Sequence, residues 1–185
     1  GGVCGVVVCQ AGAGIRDAEE SRGHGDVYRG QSVAVTYGTA VNFGAGSDDT
    51  YSVAFGDVDG DGDLDLATGN YGEQNAVYLY DSIAGTYGNA INFGTGSDYT
   101  YSVAFGDVDG DGDLDLATGN SGEQNAVYLY DSIAGTYDTA VNFGTGVDNT
   151  DSVAFGDVDG DGDLDLATGN YGEQNAVLSL IHICK

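Results

Sequence analysis

The sequence predicts an all-β protein built from tandem units of short antiparallel strands, and three observations favour this fold class. The stretch FGDVDGDGDLDLATGN occurs three times without change, at residues 55–70, 105–120 and 155–170, so the chain repeats every 50 residues. Apolar and polar residues alternate within each unit, as they do in half-buried strands. Glycine accounts for 33 of the 185 residues and proline for none, which suits many tight turns.

Each repeat unit contains four stretches in which apolar residues alternate with polar ones. A turn at residues 82–85 separates the third stretch from the fourth, and no helical periodicity of useful length is present. Four short strands in about 50 residues is the size of one propeller blade, so we expect tandem four-stranded antiparallel blades of a β-propeller. In the first full unit, the residues that define the four strands are Val53 and Phe55, then Leu64, Leu66 and Thr68, then Val77 and Leu79, and finally Ile91 and Phe93.

Aligning the chain with itself gives the expected blade boundaries. Residues 1–25 lack the aspartate-rich stretch, and we leave them unassigned, with a non-native origin as one explanation. Residues 178–185 depart from the repeat, and we interpret them as an artefactual tail, the alternative being a terminal hydrophobic strand. About three and a half blades are present, so we expect a partial propeller that is not closed. The expected blades are a partial one at residues 26–50, full ones at residues 51–100 and 101–150, and a truncated one at residues 151–177.

The invariant stretch places five aspartates at alternate positions around two glycines. Gly60 and Gly62 allow the backbone to curl, so that alternate side chains converge on one point. Five carboxylates so close together repel one another unless a cation lies among them. Calcium prefers six to eight oxygen ligands in flexible geometry, whereas magnesium requires a strict octahedron and zinc and copper favour histidine and cysteine. We therefore expect calcium at loop positions 1, 3, 5, 7 and 9, which in the first unit are Asp57, Asp59, Asp61, Asp63 and Asp65.

Three alternatives to a calcium loop between strands fit the sequence less well. An EF-hand needs a glutamate at position 12 and flanking helices, but position 12 is Thr68 and both flanks alternate as strands. Calcium-binding β-helices have a nine-residue repeat, which is far shorter than the repeat of this chain. A merely solvated acidic turn does not explain three identical copies with glycines at fixed offsets.

The segment FGDVDGDGDLDLA resembles the FG-GAP or VCBS repeat of integrin-α-type β-propellers, and the resemblance covers residues 26–177. It implies a four-stranded blade with calcium in the loop between the first two strands. It also implies side-chain ligands at loop positions 1, 3, 5 and 9, a backbone carbonyl at position 7, and thus three calcium sites. The residues at these positions are Asp57, Asp59, Asp61, Asp63 and Asp65; Asp107, Asp109, Asp111, Asp113 and Asp115; and Asp157, Asp159, Asp161, Asp163 and Asp165.

The formal net charge of −26 restricts the partners of the chain. His182 is the only basic residue between Gln31 and Cys184, so we expect no binding to nucleic acid or anionic membranes, which require lysine or arginine. No apolar run approaches the roughly 20 residues that span a bilayer, so we expect no membrane insertion. Calcium sites of extracellular modules often have a Kd of about 10⁻⁴–10⁻³ M and fill only outside the cell. We therefore expect an extracellular or cell-surface protein.

The residue types of the repeats argue against an enzyme. Residues 31–177 contain no histidine, cysteine, lysine or arginine, so no serine has a base to activate it. Glu73 recurs as Glu123 and Glu173, which favours a role in the turn over a single active centre. His182 and Cys184 lie in the irregular tail and are not interpreted as a site.

We expect a binding function, with a module for adhesion or protein interaction as the first hypothesis. The alternatives are a lectin-like carbohydrate-binding propeller and an accessory domain of a secreted polysaccharide hydrolase or lyase. The loop GNYGEQN at residues 69–75 offers groups that suit sugars, but Asn70, Gln74 and Asn75 also suit hydrogen bonds within the turn. Unpaired strands in a partial propeller further predict self-association through open blade edges. The three repeat units carry different residue types at positions 49, 51 and 71 and at the equivalents of these positions, near the expected strand ends.

Overall fold

The computed structural model describes residues 36–44 and 46–180, and it contains successive antiparallel sheets in the compact unit Thr39–Lys185. The prediction of an all-β chain is confirmed. The described residues contain no helix, and so none that is long and apolar enough to cross a membrane. The predictions for residues 1–25, for residues 26–35 of the partial blade and for residues 181–185 of the tail lie outside the described residues.

The main sheets follow the predicted repeat and are called blades 1, 2 and 3. Blade 1 consists of Thr50–Gly56 (β1), Asp65–Asn70 (β2), Asn75–Asp81 (β3) and Thr86–Phe93 (β4), paired in this order. Blade 2 consists of Thr100–Gly106 (β5), Asp115–Asn120 (β6), Asn125–Tyr128 (β7), Tyr130–Asp131 (β8), Thr136–Tyr137 (β9) and Val141–Phe143 (β10). Its sheet has the order β10-β7-β6-β5, and β8 pairs separately with β9. Blade 3 consists of Thr150–Gly156 (β11), Asp165–Asn170 (β12) and Ala176–Leu178 (β13), paired in this order.

The blades share one strand register. In blade 1, β1 and β2 are antiparallel and Phe55 lies opposite Leu66. The pairs β5–β6 and β11–β12 repeat this register at the equivalent residues. Leu64 lies just before β2 rather than inside it, which shortens the predicted second strand. Its equivalent Leu114 packs against Gly56 of blade 1, so this leucine position contributes to the contact between blades.

The hydrophobic core lies between neighbouring blades. Both faces of β3 are buried, because the successive residues Val77 and Tyr78 point to opposite faces and both are covered. The core between blades 1 and 2 contains Val58, Ala67, Val77 and Phe93 from blade 1 and Val103, Leu116, Ala126, Tyr128 and Tyr130 from blade 2. The core between blades 2 and 3 contains Ala117, Val127, Val153 and Leu166. Each blade therefore depends on its neighbour to bury apolar surface.

Two hydrogen bonds fix neighbouring blades relative to each other. Ser52 Oγ of blade 1 accepts the N–H of Val103 of blade 2 at 3.1 Å. Asn75 Nδ2 of blade 1 donates to Thr100 Oγ1 of blade 2 at 2.9 Å. Blades 2 and 3 form the same two bonds between the equivalent residues. The relation between successive blades therefore repeats along with the sequence. Among the described residues, the three blades do not close into a ring.

The blade contact depends on a glycine in the second strand, which gives a first prediction. A Cβ at Gly119 would lie 2.8 Å from Thr150 Cγ2 and 3.0 Å from Val153 Cγ1, and both atoms belong to stiff β-branched side chains. We expect Gly119→Ala to lower the free energy of unfolding by about 1–3 kcal/mol, because blades 2 and 3 must move apart. Urea unfolding followed by circular dichroism measures this loss.

Gly169 provides the matched control because it holds the same position in blade 3. A Cβ there would meet only Ser152, at an ordinary van der Waals distance of 3.5 Å from its Cβ. We expect Gly169→Ala to change the free energy of unfolding by less than about 0.5 kcal/mol. Equal losses in the two variants would show that the contact with a following blade is not the cause.

Candidate metal centre

The aspartate-rich loop connects the first two strands of each blade. In blade 1, Gly60 and Gly62 have φ angles of +73° and +92°, a region that favours glycine. A Cβ at either position would meet nothing within 4 Å, so the requirement for glycine is conformational rather than steric. The equivalent glycines of blades 2 and 3 also have positive φ angles. The glycines that the sequence analysis singled out therefore do curl the loop.

Carboxylates inside the loop accept hydrogen bonds from the loop backbone. Asp57 Oδ2 accepts the N–H of Gly62 at 3.0 Å. Asp59 Oδ1 accepts the N–H of Asp61 at 3.2 Å, and Asp61 Oδ1 accepts the N–H of Asp63 at 2.8 Å. Such short-range bonds are Asx-type turns, which wind the backbone around its own acidic side chains. Blades 2 and 3 repeat them.

The aspartate at loop position 9 ties the loop to the third strand. Asp65 is buried, and its Oδ2 accepts the N–H of Val58 at 2.8 Å while its Oδ1 accepts the N–H of Tyr80 at 2.8 Å. Asp115 and Asp165 are buried too and accept the equivalent pairs of bonds. The sequence analysis expected Asp65 to belong to the loop, as the ligand at position 9. The structure shows one bond from its side chain to the loop and a second bond to the third strand.

The last described residues take the third-strand positions of blade 3. Leu178 lies opposite Leu166 in β13, and the N–H of Leu180 donates to Asp165 Oδ1 at 3.0 Å. In blade 1, Tyr78 and Tyr80 hold these positions. Residues 178–180 of the predicted tail therefore continue the blade through backbone contacts, although their side chains depart from the repeat.

Burial and hydrogen bonding shift the pKa of the position-9 carboxylates in opposite directions. Burial raises the pKa of Asp115 to about 6. Its two backbone N–H donors lower this pKa, and the neighbouring aspartates raise it further. Burial also raises the pKa of Asp65. The pKa of Asp165 is lowered instead by the N–H groups of Val158 and Leu180, because no further blade covers blade 3 in the described part of the chain. A nearby cation would favour the ionised form of each of these groups.

Three aspartates converge in each loop, with one carboxylate oxygen from each lying within 4.8 Å of the other two. Asp63 differs, since its Oδ2 accepts the N–H of Ser82 at 3.2 Å. The clusters are Asp57, Asp59 and Asp61; Asp107, Asp109 and Asp115; and Asp157, Asp159 and Asp165. The predicted ligands outside these clusters are Asp63, Asp65, Asp111, Asp113, Asp161 and Asp163.

The atoms of these clusters suit a hard divalent cation. Asp57 Oδ1 is buried without a hydrogen-bond partner, and it is the only such side-chain atom among the described residues. A buried carboxylate oxygen in this state is costly unless a cation binds it. Residues 36–180 contain no lysine, arginine or histidine, so no side chain of this range can neutralise the loops. The three aspartate clusters could therefore hold metal ions.

A family model described as an FG-GAP-like repeat matches residues 57–118 and 107–168, which together make up more than half of the chain. The chain belongs to the FG-GAP-like repeat family. Each match begins at the first aspartate of one loop and extends through the following loop, so each match includes two aspartate loops. The resemblance to FG-GAP and VCBS repeats is thus confirmed. No curated protein matches the sequence.

The turn between the second and third strands of each FG-GAP-like repeat is held by its own side chains. Asn75 Oδ1 accepts the N–H of Asn70 at 2.7 Å, and Asn70 Nδ2 donates to the carbonyl of Gln74 at 2.6 Å. Glu73 Oε2 accepts the N–H of Asp49 at 2.9 Å, and the equivalent glutamates make the same bond. The structural role that the sequence analysis weighed for these polar residues is therefore confirmed.

The variable positions of the FG-GAP-like repeats meet at the blade boundaries, which the sequence analysis did not foresee. Between blades 1 and 2, four rings form a tyrosine cluster, defined as Tyr51, Tyr71, Tyr99 and Tyr101. The rings of Tyr71 and Tyr99 stack with centroids 4.4 Å apart and an interplanar angle of 16°. Tyr51, Tyr71 and Tyr99 remain exposed. The cluster is thus an aromatic surface rather than part of the core.

The second blade boundary carries polar residues in place of the tyrosine cluster. Ser121, Asn149 and Asp151 stand where the first boundary has Tyr71, Tyr99 and Tyr101. Ser121 Oγ donates to Asn149 Oδ1 at 3.0 Å. The aromatic surface therefore distinguishes the first boundary from the second, although the loops and cores of the two boundaries repeat.

The positive φ angle in the loop gives a second prediction. We expect Gly62→Ala to lower the free energy of unfolding by about 1–2 kcal/mol, because its φ of +92° is unfavourable for a residue with a Cβ. The loss should be measured in chelator, so that it reports the loop itself.

Gly88→Ala provides the control for this prediction. Gly88 is exposed in β4, has no positive φ, and would place its Cβ 3.5 Å from the Leu79 carbonyl oxygen. We expect this change to be neutral or mildly stabilising, because alanine restricts the unfolded chain more than glycine does. A Gly62→Ala variant as stable as Gly88→Ala would contradict the conformational argument.

Proposed function

We propose that the chain is a calcium-stabilised interaction module of an extracellular protein, with one structural Ca²⁺ in each of its three acidic loops. In the first loop, the observation that supports this most directly is the buried, unpartnered oxygen of Asp57 beside Asp59 and Asp61. In the other two loops the equivalent oxygens accept the N–H groups of Gly110 and Gly160, and the support is the aspartate cluster itself. Clustered carboxylate oxygens match the ligands that calcium prefers, and its flexible coordination tolerates the differing cluster geometry of the three loops. Magnesium demands stricter geometry and is the weaker candidate.

The proposed role of the metal is structural. The loop joins the first strand to the second, and its position-9 aspartate binds the third strand, so a cation there would stabilise the hairpin on which the blade is built. Residues 36–180 contain none of the histidine, cysteine, lysine or arginine side chains that serve as bases and nucleophiles. We therefore propose binding rather than catalysis for this part of the chain.

The proposed location is outside the cell, where FG-GAP repeats usually occur. Millimolar calcium there would fill sites with a Kd of about 10⁻⁴–10⁻³ M. The proposed partner in adhesion is another protein. A carbohydrate is the second candidate, supported by the exposed tyrosine cluster, because aromatic rings with polar neighbours suit sugar binding.

Thermal unfolding in calcium tests the metal proposal. Calcium at about three times Kd stabilises the folded state by about 0.8 kcal/mol per site, or about 2.5 kcal/mol for three independent sites. For a chain of this size each kcal/mol corresponds to about 2–4 °C, so we expect calcium to raise the Tm by several degrees and magnesium to have little effect. The triple variant Asp59→Asn, Asp109→Asn and Asp159→Asn should lose the response, because each cluster includes one of these residues.

A charge-matched control separates metal binding from general relief of repulsion. Asp49→Asn, Asp138→Asn and Asp151→Asn together remove the same three charges at exposed positions outside the loops. We expect this control to keep the calcium response of the parent chain. Unfolding curves of the parent chain that coincide in calcium and in chelator would refute the metal proposal.

A glycan array tests the carbohydrate candidate. The double variant Tyr71→Ser and Tyr99→Asn gives the first boundary the residues that the chain itself has at the second boundary. If sugars bind the tyrosine cluster, this variant should lose array signal by at least about tenfold, since stacked rings contribute on the order of 1 kcal/mol or more each. Tyr171→Ser is the control, because Tyr171 is exposed and makes no ring contact in the described structure. An array without signal for the parent chain leaves a protein partner as the proposal.

A further inference from the structure

Among the described residues, no blade covers the outer face of blade 1, whereas the equivalent face of blade 2 is covered by blade 1. Val53, Phe55, Leu66, Tyr80 and Tyr87 line an open apolar groove on this face. Their equivalents in blade 2 lie against blade 1 and are buried or partly buried. The exposed fraction is 53% at Val53 but only 6% at Val103, which holds the same position in blade 2.

The outer face of blade 3 is the other half of the same interface. In blade 1, Val58 and Val77 pack against blade 2, with exposed fractions of 2% and 0%. Their equivalents Val158 and Val177 have exposed fractions of 65% and 57%. The described residues therefore present two complementary faces, and the contact between such faces already occurs twice among them, between blades 1 and 2 and between blades 2 and 3.

Blade 3 lacks a fourth strand among the described residues, and the segment before blade 1 has the sequence of such a strand. Blade 3 has three strands, so β13 is an open edge among the described residues. Residues 39–44 repeat the sequence of residues 139–144 without change, yet they belong to no described strand. In blade 2, the equivalent segment forms β10, which pairs with β7 and places Val141 opposite Val127.

Residues 41–43 already lie where the outer strand of a preceding blade would lie. The ring of Phe43 has its centroid 5.6 Å from that of Tyr78 and 5.5 Å from that of Tyr87. Phe93 has the matching distances of 5.4 Å and 5.6 Å to the equivalent tyrosines of blade 2. The segment is therefore positioned for a blade that blade 1 does not have on this side in the described structure.

We propose that a second copy of this chain supplies that blade through head-to-tail association. The outer face of blade 3 of one copy packs on the outer face of blade 1 of the other. Residues 41–43 then add to β13 as its fourth strand, with Val41 opposite Val177 and Phe43 opposite Asn175, the register that β10 has on β7. Such contacts are heterologous and close into a ring or extend into a filament. Two copies supply six blades, which lies within the range of about four to eight in closed propellers.

Complementation between two variants tests the head-to-tail arrangement. Val177→Asp places a charge on the blade 3 face and Val53→Asp places one on the blade 1 face, and both side chains are exposed in the single chain. We expect light scattering over a concentration series in calcium buffer to show association of the parent chain. Each variant alone should associate at least about tenfold more weakly. An equimolar mixture should form a 1:1 complex, because each variant retains the face that the other lacks.

The control for this experiment is Ile133→Asp, a substitution at an apolar side chain that is 99% exposed and lies outside both faces. It should associate like the parent chain. A parent chain that stays monomeric over the whole concentration range would overturn the proposal, as would a mixture of Val53→Asp and Val177→Asp that stays monomeric. Association that neither variant weakens would also overturn it, because some other surface would then be responsible.

Disulfide trapping tests the strand register. In a background with Cys4, Cys9 and Cys184 changed to serine, chains with Val41→Cys are mixed with chains carrying Val177→Cys under mild oxidation. We expect a covalent dimer from this mixture and none when Asn42→Cys replaces Val41→Cys, because the side chain of residue 42 points to the other face. The double variant Val127→Cys and Val141→Cys calibrates the reaction within one chain, since these residues are already opposite each other. A bond between residues 127 and 141 without one between 41 and 177 would overturn the register.

Discussion

A buried carboxylate at the start of the second strand is the interaction on which each blade depends. Asp65 and its equivalents accept one N–H from the acidic loop and one from the third strand, so a single side chain joins three segments of the blade. Burying a charge next to other aspartates is unfavourable, as the raised pKa of Asp115 shows. A bound cation would therefore be favourable here, and residues 36–180 contain no lysine, arginine or histidine that could supply the positive charge. The proposed calcium ion would supply this charge.

Each blade packs only on its sequence neighbours among the described residues. Equivalent residues therefore have different surroundings in blade 2 and in the outer blades. Burial raises the pKa of the position-9 aspartate in blades 1 and 2, whereas in blade 3 the N–H groups of Val158 and Leu180, together with Ser179 and the backbone of Asp159, outweigh burial and lower its pKa. Gly119 is tightly enclosed by Thr150 and Val153 of blade 3, whereas a Cβ at Gly169 would meet only Ser152 of its own blade, at an ordinary van der Waals distance. Nearest-neighbour packing of this kind makes the stability of a blade depend on whether another blade follows. The two uncovered faces are a consequence of the same packing.

Local features of the sequence were sufficient to predict the strands, the acidic loops and the inclusion of Asp65 in the loop, because residue alternation and glycine placement act over a few residues. The tyrosine cluster could not be predicted in this way, since Tyr71 and Tyr99 meet only through the pairing of distant segments across a blade boundary.

The division of the outer strand of blade 2 into β9 and β10 was also not predicted from the residue pattern. The break falls where blade 1 has a register shift beside Tyr78 and Tyr80, and where Asp138 replaces Gly88. Position 7 of the loop was expected to act through its carbonyl, which stays a prediction; in blade 1 the side chain of this residue, Asp63, accepts the N–H of Ser82.

The antiparallel topology places the two chemical surfaces of the blade at opposite ends of its strands. The acidic loop follows the end of β1, whereas the tyrosine cluster gathers at the start of β1 and at the turn between β2 and β3. A strand of seven residues separates them by about 20 Å. Substitutions at the tyrosine end therefore leave the loop geometry unchanged, which is consistent with three identical loops beside boundaries that differ in residue type. In the proposed function, this separation lets calcium stabilise the blade while the residues at the other end determine what the module binds.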